Sequence, residues 1–564
     1  MPRPISVNEF RELFERCTPP RGWPKKLAVA NSGGPDSTCL LFLIRRLLQE
    51  VAGNKCPESV VSLTVDHRLQ KISSAMAEHC RMTAATLGVE HIMMHIPWSE
   101  PPFPPLPTRS FEKIARDARY HVLFQAMTHS GSEAIAFGHH ADDQVETALL
   151  RSAMGTTEFG AAGMRPCRRW GMGFGDGEGA LGWAGGEGMR RWVVRPLLTV
   201  PKASNHSRIL ATCNENALEY VTDPTNFQPE VTIRNAIRQS LAQQSPQESS
   251  GKLASPSSNR SLATQDSVAN EDLRLSAAFS LRQGLEHMYT AVELLSNKRE
   301  LIDSIVTQKL QYCRRESPPS TVLLAVPPLH TVEDPSVQRA LVLRVLRYVS
   351  FYPWGSLRAE AHRRSASLSR IVDSLWCLSP QRRSFVGGGG VLWTPVTLTK
   401  GGYIKMEQKS VPQKVQDASL AWIASRQPPL AKSLTYLDAG ARKGPLHVDL
   451  THLIHTRTGD AEKIELLWDC RFLLQINLNR LTAIKQQLQS STSSQDYRLI
   501  VEPETRWYLP RVMLYWNDRS LVLARPKRLY SADTHALKPC SEHRLTIRED
   551  NAITIEEARV LDAL

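Results

Sequence analysis

The chain has 564 residues, 41% of them hydrophobic and 22% charged, enough apolar material for a full-sized core spread over two or three domains. No run approaches the roughly 18 uninterrupted apolar residues that a membrane-spanning helix needs, so a membrane-spanning role is not expected. A formal net charge of +13 favours a polyanionic partner, because Lys and Arg replace the counterions condensed on a phosphate backbone.

Residues 1–22 have no apolar h-region, which argues against a secretory signal. Arg3, Arg11 and Arg16 suit an organellar presequence, whereas Glu9, Glu12 and Glu15 spoil its acid-poor composition. The first core strand is expected at 26–30 (KLAVA), followed by an apolar-rich helix over 37–48. Strands at 60–66, 91–96 and 134–137 alternate with helices at 73–87, 111–128 and 143–154. Such alternation predicts βαβ units, hence an α/β domain whose parallel sheet is covered on both faces and binds ligands at the carboxyl ends of its strands.

Residues 171–188 hold nine glycines in eighteen positions and read as an insertion too flexible to pack. Residues 243–272, rich in Ser, Gln and Pro, read as a disordered linker closing a catalytic domain of residues 1–242. Apolar residues at helical spacing then predict a helical domain over 273–386, and short β-rich runs a C-terminal domain over 387–564. The ten Cys include no C-x-x-C pair, which points to a reducing compartment and no zinc knuckle.

Two segments carry the chemistry. NSGGPDS at 31–37 lies between a strand and a helix, where small residues let backbone N–H groups close around a phosphate and the helix adds its positive end. The spacing and Lys of a Walker A loop are absent. FGHHADDQVETALLR at 137–151 follows a strand and opens a helix, so that His139, Asp143 and Glu146 fall at i, i+4 and i+7 on one side of a helical stretch. Such a group could hold Mg²⁺, bind a substrate ammonium or move a proton, while zinc rarely prefers this ligand mix.

The Ser-Gly-Gly-x-Asp-Ser signature resembles the PP-loop of ATP-pyrophosphatases, a Rossmann-like fold in which ATP activates a carbonyl oxygen as an adenylate. Further motifs resemble the tRNA(Ile)-lysidine synthetases among them: VDHRLQ at 65–70, ARDARY at 115–120, the GHHADDQVET stretch, GTTEFGAAGM at 155–164, RPLL at 195–198, YVTDPTN at 220–226 and IRNAIR at 233–238, all in the family's order. Gln70, Thr157, Ala161 and Thr225 depart from the family pattern, and the likeness covers residues 26–241 well, with LWDCRF at 467–472 resembling a segment of some members.

That resemblance implies ligation of free L-lysine to the wobble cytidine of the CAU anticodon of tRNA(Ile), with ATP as co-substrate and Mg²⁺ as the metal. It places ATP on Ser32, Gly33, Gly34, Pro35, Asp36, Ser37 and His67, and lysine on Asp143 and Glu146. The catalytic set is Asp36, Arg119, His139 and Asp143, with His139 the proton acceptor and with Asp36 and Glu146 near the metal. Arg195, Arg234, Arg238, Arg363 and Arg364 are expected on the tRNA. The rivals are a PP-loop tRNA thiolase, disfavoured by the lack of C-x-x-C, and an inactive tRNA-binding relative. The Ser-rich insertions suggest a mitochondrial setting with the cytoplasm as the alternative, and a homodimer is one option for the assembly.

Overall fold

The computed structural model describes residues 2–50, 56–68, 73–106, 111–154, 157–173, 184–202, 207–222, 285–356, 359, 365–377, 382–398, 404–406, 419–429, 435–436, 442–443, 446–455, 463–491, 497–516, 519–526 and 552–562. They form two compact units, the first comprising residues 1–169 and 191–301, the second 170–190 and 302–564. The proposed linker at 243–272 lies outside the described residues.

The first unit is an α/β layer structure. Strands β1 (Lys26–Ala30), β2 (Ser59–Asp66), β3 (Glu90–His95), β4 (Ala134–Ala136) and β6 (Trp192–Val194) are parallel, and β5 (Cys167–Arg169) joins the edge antiparallel, in the order β3-β2-β1-β4-β6-β5. The helices are α1 (Val7–Glu15), α2 (Pro35–Glu50), α3 (Ser73–Thr86), α4 (Phe111–Ser130), α5 (Ala141–Ala153), α6 (Glu158–Ala161) and α7 (Arg208–Glu215). Central strands β1 and β4 are buried on both faces, which is why KLAVA and AIA are nearly pure apolar runs. The chain winds one way from β1 through β2 to β3 and the other way from β1 to β4. The crevice at the carboxyl ends of β1 and β4 is therefore the switch point where such sheets bind ligands.

The structure changes three expectations. The core begins before β1: Ile5, Phe10, Phe14 and Cys17 are buried, Phe14 stacks on Trp23 at 4.2 Å, and Ile5 N–H donates to Thr212 Oγ1 of α7 at 2.9 Å. The single amphipathic turn pattern of α1 was masked by its mixed charges. Strands β5 and β6 are three residues each, too short for a periodic signal, and enter the sheet only by pairing. Third, α5 starts at Ala141, with His140 extended at φ −124° and ψ −176°, so His139 precedes the helix and the i, i+4, i+7 alignment does not include it.

In the second unit an antiparallel sheet orders strands Ile404–Met406, Val391–Leu398, Ser419–Arg426, Val322–Ala325 and Arg314–Arg315, and three further antiparallel sheets, of two, four and three strands, lie among the described residues. LWDCRF forms a buried ionic turn there: Asp469 accepts from Arg426 Nε at 2.7 Å and from Arg471 Nε at 2.6 Å. The glycine-rich stretch belongs to this unit, and its described ends are packed rather than loose. Met172 is fully buried, Gly171 N–H donates to Gly188 O at 3.0 Å, and Met172 N–H to Trp354 O at 3.0 Å. A Cβ on Gly188 would stand 1.8 Å from Gly171 O, so these glycines serve close backbone approach. Residues 174–183 lie outside the described residues.

Candidate active site

The phosphate loop forms because Asn31 templates it. Its buried Oδ1 accepts from Gly33 N–H at 3.0 Å and from Ser37 Oγ at 3.2 Å, while Nδ2 donates to Ser62 Oγ of β2 at 3.2 Å. Gly33 sits at φ +78°, in the left-handed region that favours glycine. Ser37 Oγ also accepts from Ser32 N–H at 3.2 Å and donates to Gly34 O at 3.0 Å, tying the loop to the first turn of α2. Val221 N–H of the YVTDPTN segment donates to Gly33 O at 2.8 Å; residues 223–226 lie outside the described ones. The loop is thus pinned from three sides before any ligand enters.

Asp36 and the first turn of α5 face each other across the switch point. Lys202, in the turn after RPLL, donates Nζ to Asp36 Oδ2 at 2.7 Å and its own N–H to Asp142 Oδ1 at 2.9 Å. Asp142 Oδ1 also accepts from Tyr289 at 2.8 Å. His140 lies within ion-pair distance of Asp142 (3.5 Å), Asp143 (3.6 Å) and Asp36 (3.9 Å). Burial alone would strip its proton, but Asp143, Asp142 and Asp36 outweigh that and raise its pKa. Asp143 Oδ2 accepts from His140 N–H at 3.1 Å, fixing the entry to α5, and Glu146 is fully buried one turn on.

The loop of GTTEFGAAGM that follows α5 is also clamped. Gln144 exchanges two hydrogen bonds with the Met164 backbone, Arg151 donates to Gly163 O at 2.7 Å, and Arg299 donates to Gly163 O at 3.1 Å and Met164 O at 3.2 Å. Residues 155–156 lie outside the described ones.

On the other side, Arg116 and Arg119 share a face of α4 and lie 5.4 and 6.0 Å from the Tyr120 ring. Tyr120, Phe137 and His139 stack in a row, at 5.4 and 5.5 Å. Burial opposes ionisation of Tyr120, yet Arg116, Arg168, Arg195 and Arg119 prevail and pull its phenol down to about 8. Arg195 is 4% exposed and stands behind His139, donating Nε to His139 Nδ1 at 3.2 Å and Nη1 to Arg165 O at 2.9 Å. The expectation that it grips tRNA gives way to an interior role, since a buried guanidinium already bonded inside presents nothing to a phosphate outside.

His67 is at the carboxyl end of β2, its carbonyl accepting from Trp98 Nε1 at 2.8 Å. Asp66 beside it caps the turn, accepting from Arg68 N–H and Ser74 Oγ, each at 2.9 Å. Arg234, Arg238, Arg363 and Arg364 lie outside the described residues. Reasoning from sequence missed Lys202, His140, Asp142 and Asn31. His140 and Asp142 lie inside a motif that was singled out, but a lone Lys in VPKAS carries no spacing signal.

Among the described residues no three His, Cys, Asp or Glu side chains are gathered closely enough to hold a metal ion by themselves. Asp36 Oδ1, buried without a hydrogen-bond partner, still fits Mg²⁺, which typically takes one or two carboxylates and completes its shell with phosphate oxygens. No described helix is long and apolar enough to cross a membrane.

Comparison with known proteins agrees with this geometry. The family model of the PP-loop domain matches residues 4–245. The tRNA(Ile)-lysidine synthase of Methylobacterium nodulans is 33% identical over 224 residues, covering 40% of this chain and 56% of that protein. That of Bacillus subtilis is 32% identical over 225 residues, 39% of this chain and 41% of its own length. The alignments therefore span about half the length of these two relatives. That of a Bradyrhizobium species is 32% identical over 291 residues, 51% of this chain and 68% of its own length. A phosphate loop facing an acidic helix across the β1/β4 crevice, with relatives of one name aligned along it, identifies the chain as a member of the tRNA(Ile)-lysidine synthase family.

Proposed function

We propose that the chain joins free L-lysine to carbon 2 of the wobble cytidine in the CAU anticodon of tRNA(Ile). The observation that carries this reading is the meeting of Asp36 with Lys202 and the Asp142–Asp143 turn at the mouth of the phosphate loop. One crevice then offers both a polyphosphate cradle and carboxylates for an ammonium, the two things this reaction needs.

In the first step the cytidine carbonyl oxygen attacks the α-phosphorus of ATP, and pyrophosphate leaves. The N–H groups of Gly34, Asp36 and Ser37, at the start of α2, receive the phosphates, and Arg119 offsets the charge that develops. Asp36 would hold Mg²⁺, with Glu146 the further oxygen proposed; the metal would supply charge neutralisation on the phosphates. Lys202, the counterion of Asp36, is suited to follow the pyrophosphate. In the second step the lysine ε-amine attacks carbon 2, its proton passes to a base of the site, and AMP leaves. Asp143 and Glu146 hold the ammonium groups of lysine, and a buried carboxylate is a strong partner for them. The base itself must be unstacked to enter, as for other enzymes acting on bases.

The test is direct. The full chain, incubated with tRNA(Ile), ATP, Mg²⁺ and lysine, should form AMP only when both lysine and tRNA are present, and nucleoside mass spectrometry should find lysidine. Asp36→Ala should abolish pyrophosphate release. Failure to modify tRNA(Ile), or pyrophosphate release surviving in Asp36→Ala, refutes the assignment.

A further inference from the structure

His139 is flanked by a residue that can only donate. Arg195 Nε–H points at His139 Nδ1 at 3.2 Å, and a guanidinium has no lone pair to offer in return. Nδ1 must therefore be the bare, accepting nitrogen. The ring cannot readily turn away, because it stacks on Phe137 at 5.5 Å, and Phe137 is itself stacked on Tyr120.

From this geometry we infer that His139 is held as the neutral imidazole with its proton on Nε2, that it acts as a hydrogen-bond donor rather than a proton acceptor, and that Arg195 is the positioning residue that sets this tautomer. The charges around the pair point the same way. Arg195 bonds to His139 and to the Arg165 carbonyl, neither of them an anion, and Arg168, Arg116 and Arg151 add positive charge around it, which the Tyr120 phenol offsets only in part. Burial and then Arg168 pull Arg195 down to about 9, which still leaves it protonated at neutral pH. An imidazolium would press N–H against N–H and add a further cation beside a buried one.

Two consequences follow for the proposed reaction, on which this part of the inference rests. The proton released by the lysine amine goes to the carboxylate of Asp143 on α5, and not to His139. His139 instead offers Nε2–H to negative charge that develops on the reacting oxygens.

The full-length protein labelled with ¹⁵N-histidine tests the tautomer in the resting state, without any substrate. The His139 resonances, assigned by their loss in His139→Gln, should show a protonated Nε2 and an unprotonated Nδ1 at pH 7. Arg195→Met should abolish that preference while the other histidine signals stay in place. A cationic ring, an Nδ1-protonated ring, or an unchanged tautomer in Arg195→Met overturns the inference.

The role is read from turnover. His139→Gln, whose amide N–H can replace Nε2–H but cannot take up a proton, should retain far more activity than His139→Ala, which should lose about 100-fold or more. Equal loss in both variants means a base and overturns the donor role. If the wild-type chain modifies no tRNA at all, the proposed function fails while the spectra still decide the tautomer.

Discussion

Gly138 is where the two halves of the site touch through backbone alone. It sits between β4 and His139, and a Cβ built on it would lie 2.9 Å from Asp36 C, 3.0 Å from Asp36 O and 3.1 Å from Ser37 N. None of these atoms can swing aside as a side-chain tip would. Gly138→Ala must therefore push the start of α2, and with it Asp36, away from α5. Overpacking of this kind costs about 1–3 kcal/mol of stability. Function should suffer more, because displacing a reacting group by about 1 Å can cost about 100-fold in rate. Gly131→Ala is the control: Gly131 has φ +70° but nothing within 4 Å of a Cβ, so it should lose about 1 kcal/mol of stability through backbone strain and no turnover. Lysine- and tRNA-dependent AMP release and thermal unfolding, measured on both variants, separate the two effects. Wild-type turnover in Gly138→Ala, or equal losses in the two, refutes the argument that this contact sets the loop.

Asp143→Asn keeps an oxygen for the His140 N–H and should fold, yet it removes a charge from a nearly buried site; lysine use should fall by about 100-fold while binding of an ATP analogue changes little. Loss of ATP binding with lysine use intact would make Asp143 a metal ligand instead. Replacing residues 174–183 by a short linker should leave turnover unchanged, whereas Gly188→Ala, with its Cβ 1.8 Å from Gly171 O, should lower the unfolding temperature of the second unit; the reverse pattern would contradict the packing of the flanks. Tyr120 should ionise near 8 rather than 10 in a phenolate absorbance titration of wild type minus Tyr120→Phe. Because the folded-state value is depressed, its stabilising contribution is full above the unfolded value near 10 and is lost as pH falls through 8, so the stability gap to Tyr120→Phe should widen from pH 8 to 10. A midpoint at or above 10 would show that the surrounding arginines do not set the field there.

Much of this site was legible from local pattern. NSGGPDS between an apolar strand and an apolar-rich helix specifies a phosphate loop by itself, because the conformation of small residues and the positive end of a helix are short-range properties. The acidic start of α5 was equally plain, and the order of elements implied a parallel sheet with its crevice at the strand ends. What the sequence could not settle was which neighbour each side chain meets. His139 and His140 are adjacent, but the chain is still extended there, and extended backbone sends successive side chains to opposite sides. One ring therefore meets Arg195 and Phe137, and the other meets Asp36, Asp142 and Asp143. Lys202 reaches Asp36 across 166 residues of chain, and Arg195 is turned inward. No spacing along the chain encodes those pairings; they exist only because β1, β4 and β6 lie side by side, which brings the ends of three separate segments into one crevice.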